Sequence, residues 1–198
     1  MMNFIFIMSD SFRFDNLACY SKVRPRFSTA TRQVQTPHLD AFASRCTIFD
    51  HAYVGSFPTI PNRRDILTGK MRPFNIWKPL GMDESTMVGD LVQSGYLTQM
   101  FTDTYHLIKD GFNYVRDFNG WDWIRGQEFD KLSSHLADQP INPETHRIGA
   151  FRHTTLLQQL GNQEYSGKEF EEQRFCAQTM SKAIQWLERH YSRQNPFF

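Results

Sequence analysis

Residues 3–10 read NFIFIMSD, a short unbroken apolar run that ends on a carboxylate. A run of that length fits a strand buried on both faces of a parallel sheet, where neither side alternates with solvent. Asp10 then falls where a central strand leaves the sheet. Working outward, QTPHLDAFASRC (35–46) has Thr36 at an N-cap position, Pro37 at the first helical position, and Leu39, Phe42, Ala43 and Cys46 at helical spacing. TIFDHAYV (47–54) is a second strand candidate. DESTMVGDLVQSG (83–95) predicts a helix with Met87, Val88, Leu91 and Val92 inward and Gly95 as its stop. YLTQMFTD (96–103) reads as a strand ending on Asp103. Residues 105–165 read as loops and short helices. GKEFEEQRFCAQTMSKAIQWLERHY (167–191) is a long amphipathic helix carrying Phe170, Ala177, Met180, Ile184, Leu187 and Tyr191. NPFF (195–198) looks like the opening of another buried strand. Alternating strands and helices predict an α/β chain with a largely parallel sheet.

The composition fits that reading and narrows the function. The chain has 198 residues, 40% hydrophobic and 15% aromatic with 18 Phe, enough to bury a core. A net charge of +1, with both signs interspersed, gives no footprint for nucleic acid or an anionic membrane. Cys19, Cys46 and Cys176 are odd in number and far apart, matching neither a disulfide framework nor a zinc finger. Free thiols suit a reducing compartment. The N-terminal run lacks a cationic lead and a cleavage site, and no stretch is long enough to span a bilayer. The expectation is a soluble, cytoplasmic protein without nucleic-acid or membrane partners; its oligomeric state is not legible.

The chemistry concentrates in GSFPTIPNRRDILTG (55–69). Pro61 is expected as the first helical residue and Gly69 as the stop, which places Thr59 at a helix N-terminus, where amide groups and the dipole favour an anion. Arg63 in the first turn can set its fork on a phosphate or sulfate oxygen. A threonine hydroxyl is a weak nucleophile unless a base or a metal lowers its pKa. Asp10 is the hard oxygen ligand at hand for a divalent cation, with Thr59 as its neighbour, and one carboxylate cannot hold a metal alone. A plainer reading also fits: Thr-x-Pro starts many helices, and Asp after a strand often makes an Asx-turn. Elsewhere, His38 and His51 read as surface or core histidines. The segment with Trp121, Trp123, Arg125 and Glu128 reads as a packed aromatic corner rather than a substrate mouth. LTGK lacks the glycines of a P-loop, and Glu169, Glu171 and Glu172 form a solvated face.

Taken in order, IFIMSDSFRFDNLACY, VQTPHLDAFASRCTIFDHAY and TIPNRRDILTG resemble the sulfatase family of the alkaline-phosphatase superfamily, in register from Phe4 through Gly69. The resemblance continues more loosely through SGYLTQMFTDTYHL and DGFNYVRDF to the long helix. It implies a three-layer α/β/α sandwich with a mostly parallel sheet. Family members are considerably longer, so residues 1–198 correspond to the N-terminal part of such a catalytic domain, and the isolated piece is expected to be inactive. Asp10 matches the family's first metal-binding aspartate, followed here by Ser11 where many members have a second. Thr59 stands at the position of the formylglycine precursor. Arg63 matches the signature arginine, and His106 the histidine of a Gly-Lys-Trp-His segment whose lysine is replaced by Thr104. The implied activity is metal-dependent hydrolysis of a small sulfuric or phosphoric ester; the metal could be Ca, Mn, Mg or Zn. Oxidation of a threonine gives a ketone, not the aldehyde whose hydrate attacks sulfate. The alternatives are therefore an enzyme resembling phosphodiesterases or phosphonate monoester hydrolases that uses Thr59 directly, or a non-catalytic anion-binding relative.

Overall fold

A computed structural model of the chain describes residues 2–20, 34–71, 77–125, 172, 174–191 and 195–198. Two strands, β1 (Gln99–Thr102) and β2 (Gly120–Trp123), pair in parallel, from Gln99 opposite Gly120 to Thr102 opposite Trp123. Polar groups fix that register at the strand starts. The fully buried Thr98 exchanges bonds with Asn119, which is exposed: the Thr98 N–H donates to Asn119 Oδ1 at 2.9 Å and the Asn119 N–H to Thr98 Oγ1 at 2.9 Å. On the other edge of β1, Leu97 pairs in parallel with Phe197; Leu97 donates to the Pro196 carbonyl, and Phe198 to that of Leu97, each at 2.9 Å. NPFF therefore takes the strand pairing expected of it. Beyond it, Phe4 donates to the Phe197 carbonyl at 2.9 Å, which places the N-terminal segment outermost among the described residues.

Among the described residues the helices are α1 (Pro37–Ala43), α2 (Thr59–Thr68), α3 (Met87–Gln93), α4 (Tyr105–Ile108) and α5 (Phe175–His190), with two single-turn 3₁₀ segments at Phe14–Asn16 and Ala18–Tyr20. The core gathers Ile60, Leu80, Leu107, Phe112 and Tyr114, with Leu67 and Met100 packed against it. α5 reaches the sheet through Trp186, whose ring meets Phe101 and Phe197 edge-on. Its Lys182 donates to Asp122 at 2.7 Å. The parallel α/β organisation is as expected, and no helix among the described residues is long and apolar enough to cross a membrane.

Several local expectations need correction. Residues 3–8 form no strand and are not buried: Ile5, Phe6 and Ile7 are 61%, 56% and 68% exposed. A strand needs a ladder, and among the described residues this segment makes one backbone bond, at Phe4. Residues 47–54 likewise form no strand and are exposed. β2 lies in a stretch read as loops, because Trp-Asp-Trp shows neither an apolar run nor clean alternation. α2 begins at Thr59, which makes Pro61 its third residue rather than its first. Thr36 holds the N-cap position of α1 but makes no side-chain cap; its hydroxyl donates to Asp40 Oδ2 at 3.0 Å instead. The apolar faces of α1 and α5 are open to solvent at Leu39, Phe42, Met180 and Ile184, and so is Tyr191, the C-cap of α5. In α3, Val88 is buried and Leu91 and Val92 half-buried as expected, whereas Met87 is exposed. Gly69 (φ 65°) and Gly95 (φ 86°) end their helices in the left-handed region that favours glycine. Phe170, Glu128, Glu169 and Glu171 lie outside the described residues.

Candidate functional site

Asp10, Thr59 and Arg63 come from places 49 and 53 residues apart in sequence and meet at one oxygen. The Thr59 hydroxyl donates to Asp10 Oδ2 at 3.0 Å, and Arg63 Nη2 approaches the same oxygen at 3.4 Å. Ser11 donates to the other oxygen, Oδ1, at 3.2 Å. Each neighbour is set by local structure. Ser11 adopts φ 57°, a left-handed turn that ends the extended segment just after Asp10. Thr59 and Arg63 stand one helical turn apart on α2 and so share a face. The Phe57–Pro58 peptide is cis, and Pro58 occupies the N-cap of α2. Since neither Pro58 nor Pro61 has an N–H, the amides of Thr59 and Ile60 are the first-turn donors left over from helix bonding.

Charge and burial are unequal across the pair. The Asp10 side chain is 47% exposed and that of Arg63 15%. Burial pushes the Arg63 pKa down, and the Asp10 carboxylate opposes that to a lesser degree. Arg63 Nη1 also donates to Asn62 Oδ1 at 3.0 Å, which steadies the fork. A half-exposed, long ion pair stabilises a fold by roughly 0–1 kcal/mol. The cluster therefore contributes little to stability, and its distinguishing property is chemical: an alcohol, a carboxylate and a guanidinium that converge.

Asp10, Thr59 and Arg63 line a cavity of about 1140 Å³, as do Ser11, Asp103 and Thr104. Asp103, just past the last residue of β1, obeys the rule that ligands gather at the carboxyl ends of strands. His106 lies on α4, buried, with its ring edge-on to Trp77 at 4.8 Å and to Tyr105 at 5.7 Å. Its ring sits in this aromatic cluster, and it is not among the residues that line the cavity. His38 and His51 are exposed, and Arg125 lies over the Trp123 ring at 4.8 Å.

For a divalent cation, Asp10 and Thr59 offer two hard oxygen donors at hydrogen-bond separation. Among the described residues no three His, Cys, Asp or Glu side chains cluster to hold a metal. By themselves these two donors do not make a complete metal centre.

In comparison with known proteins, the family model described as Sulfatase matches residues 2–198. No curated protein and no solved structure matches the chain.

Proposed function

The chain belongs to the sulfatase family, a group of alkaline-phosphatase-like α/β hydrolases, and on that premise we propose that it forms the N-terminal part of an ester hydrolase in which the Thr59 hydroxyl itself attacks the ester. The observation that carries this reading is the 3.0 Å bond from Thr59 to Asp10, with Arg63 on the same oxygen. Thr59 Oγ attacks the central phosphorus or sulfur as its proton passes to Asp10, and the bond to the leaving oxygen, opposite, breaks, that oxygen taking a proton from water. The hydroxide so formed attacks the same centre, the bond to Thr59 Oγ breaks as Asp10 returns the proton to Oγ, and phosphate or sulfate leaves. Arg63, with the dipole of the α2 N-terminus, faces the negative charge that develops on the non-bridging oxygens.

Family members generally use a divalent metal. Asp10 and Thr59 would supply two of its ligands here, the others lying outside the described residues; such an ion lowers the pKa of an oxygen nucleophile. The proposal that residues 1–198 are one part of a longer domain is supported by the apolar side chains of Ile5, Phe6, Ile7, Met180 and Ile184, which no described element covers. Thr59 in place of a formylglycine precursor favours phosphoric over sulfuric esters. Phosphate mono- and diesters should therefore be assayed beside sulfate esters on the complete protein, with and without chelator. Thr59→Ala is expected to abolish turnover while the fold survives. Unchanged turnover would remove Thr59 from the mechanism, and a folded wild type inert towards all three ester classes would favour a non-catalytic, anion-binding protein.

A further inference from the structure

α2 presents two adjacent faces. Thr59 and Arg63 share one; Ile60 and Arg64 share the next, turned by one residue or roughly 100°. The second face is clamped. Arg64 Nη2 donates to Glu84 Oε2 at 2.5 Å, with both side chains close to fully buried (11% and 8% exposed). The same carboxylate oxygen accepts the Gly81 N–H at 2.8 Å, and Arg64 Nη1 reaches the Pro79 carbonyl at 3.4 Å. Arg116 holds this loop from behind, donating to the carbonyls of Gly81 and Glu84. The Tyr114 hydroxyl lies 3.4 Å from the Ile60 carbonyl and 3.1 Å from that of Lys78, tying the first turn of α2 to the same loop.

We propose that Glu84 is a positioning residue: through Arg64 it fixes the rotation of α2 about its axis and so holds Thr59 and Arg63 against Asp10. A buried ion pair is a weak source of stability, because desolvation offsets most of its attraction, yet it is exacting in geometry. Arg64 Nε is buried without a partner among the described residues, so the fork is oriented towards Glu84 rather than towards the largest number of bonds. The leverage is direct. A turn of roughly 20° moves a Cα about 0.8 Å at the helix radius of about 2.3 Å. A misplacement of about 1 Å can lower a rate on the order of 100-fold.

The kinetic consequence rests on the ester-hydrolase reading; the geometric one does not. In the complete protein, Glu84→Gln is compared with the double variant Arg64→Met/Glu84→Met, which removes both charges and keeps apolar volume so that the fold is retained if the single variant fails. In crystal structures of the folded variants the Thr59 Oγ1 to Asp10 Oδ2 distance is expected to lengthen by about 1 Å or more. A distance still near 3.0 Å in the double variant overturns the proposal. With a p-nitrophenyl ester, kcat should fall at least tenfold in both while KM stays within about threefold. Wild-type kcat in the double variant would show a merely structural pair and also overturn it. A wild type without turnover would sink the hydrolase reading alone, and the crystallographic distance would still decide the role of Glu84.

Discussion

Thr59 and Arg63 are each asked for a different property, and substitution separates them. Thr59→Ala removes the attacking oxygen, and a loss of at least about 100-fold in kcat is expected from the removal of a nucleophile. Because Thr59 is only partly buried and its bond to Asp10 is exposed, the melting temperature should change little. Arg63→Lys keeps the charge and loses the fork, so kcat/KM should drop by on the order of 10²-fold, the worth of one donor aimed at developing charge. Steady-state kinetics on the complete protein check both. Tyr114 gives a prediction in pH. Burial pushes its phenol up to about 12, against an ordinary value of 10.0. Between those values the folded state keeps a proton that the unfolded state has lost, so stability falls as pH rises through that window and is fully present below it. Denaturant melts from pH 9 to 12 should show that slope, and Tyr114→Phe should flatten it.

At the scale of elements, helix ends are where local sequence speaks most directly. Gly69 donates to the Asp65 carbonyl at 2.8 Å from a left-handed conformation, and a Cβ there meets nothing within 4 Å. Gly69→Ala therefore costs only the backbone term, about 1 kcal/mol by chemical denaturation. Thr86 caps α3 by accepting the Gly89 N–H at 3.0 Å and also donates to Asp117 at 2.6 Å. Thr86→Ala should cost more, about 2 kcal/mol, since it removes a cap and leaves Asp117 short of a donor. The stop of α2 was legible for the same reason that makes Gly69→Ala costly. Its start was misplaced by two residues because proline is tolerated throughout a first turn whose amides need no helical partner. β2 escaped notice because its pairing with β1, not its own pattern, makes it a strand.

For the whole molecule, the question is how residues far apart converge. The order of apolar runs, capped helices and strand-terminal aspartates was enough to predict a parallel α/β chain and to single out Asp10, Thr59 and Arg63, because each signal is local. If residues 1–198 are one part of a larger domain, the piece expressed alone should bind a hydrophobic dye and self-associate through its exposed apolar residues, and should show no metal-dependent turnover; the complete protein should do neither of the first two and should lose its activity on chelation. Analytical ultracentrifugation, dye fluorescence and esterase assays decide this. The sequence by itself determined the helix stop at Gly69, the identity of the alcohol and the arginine, and the one-turn spacing that puts Thr59 and Arg63 on one face. Only the tertiary structure decided that both meet a single oxygen of Asp10, that His106 packs against Trp77, and that Arg64 is clamped by Glu84. The physical reason is range: backbone propensity and helical periodicity act within a few residues, whereas these contacts span 20 to 53 residues and exist only once the sheet and α2 have packed.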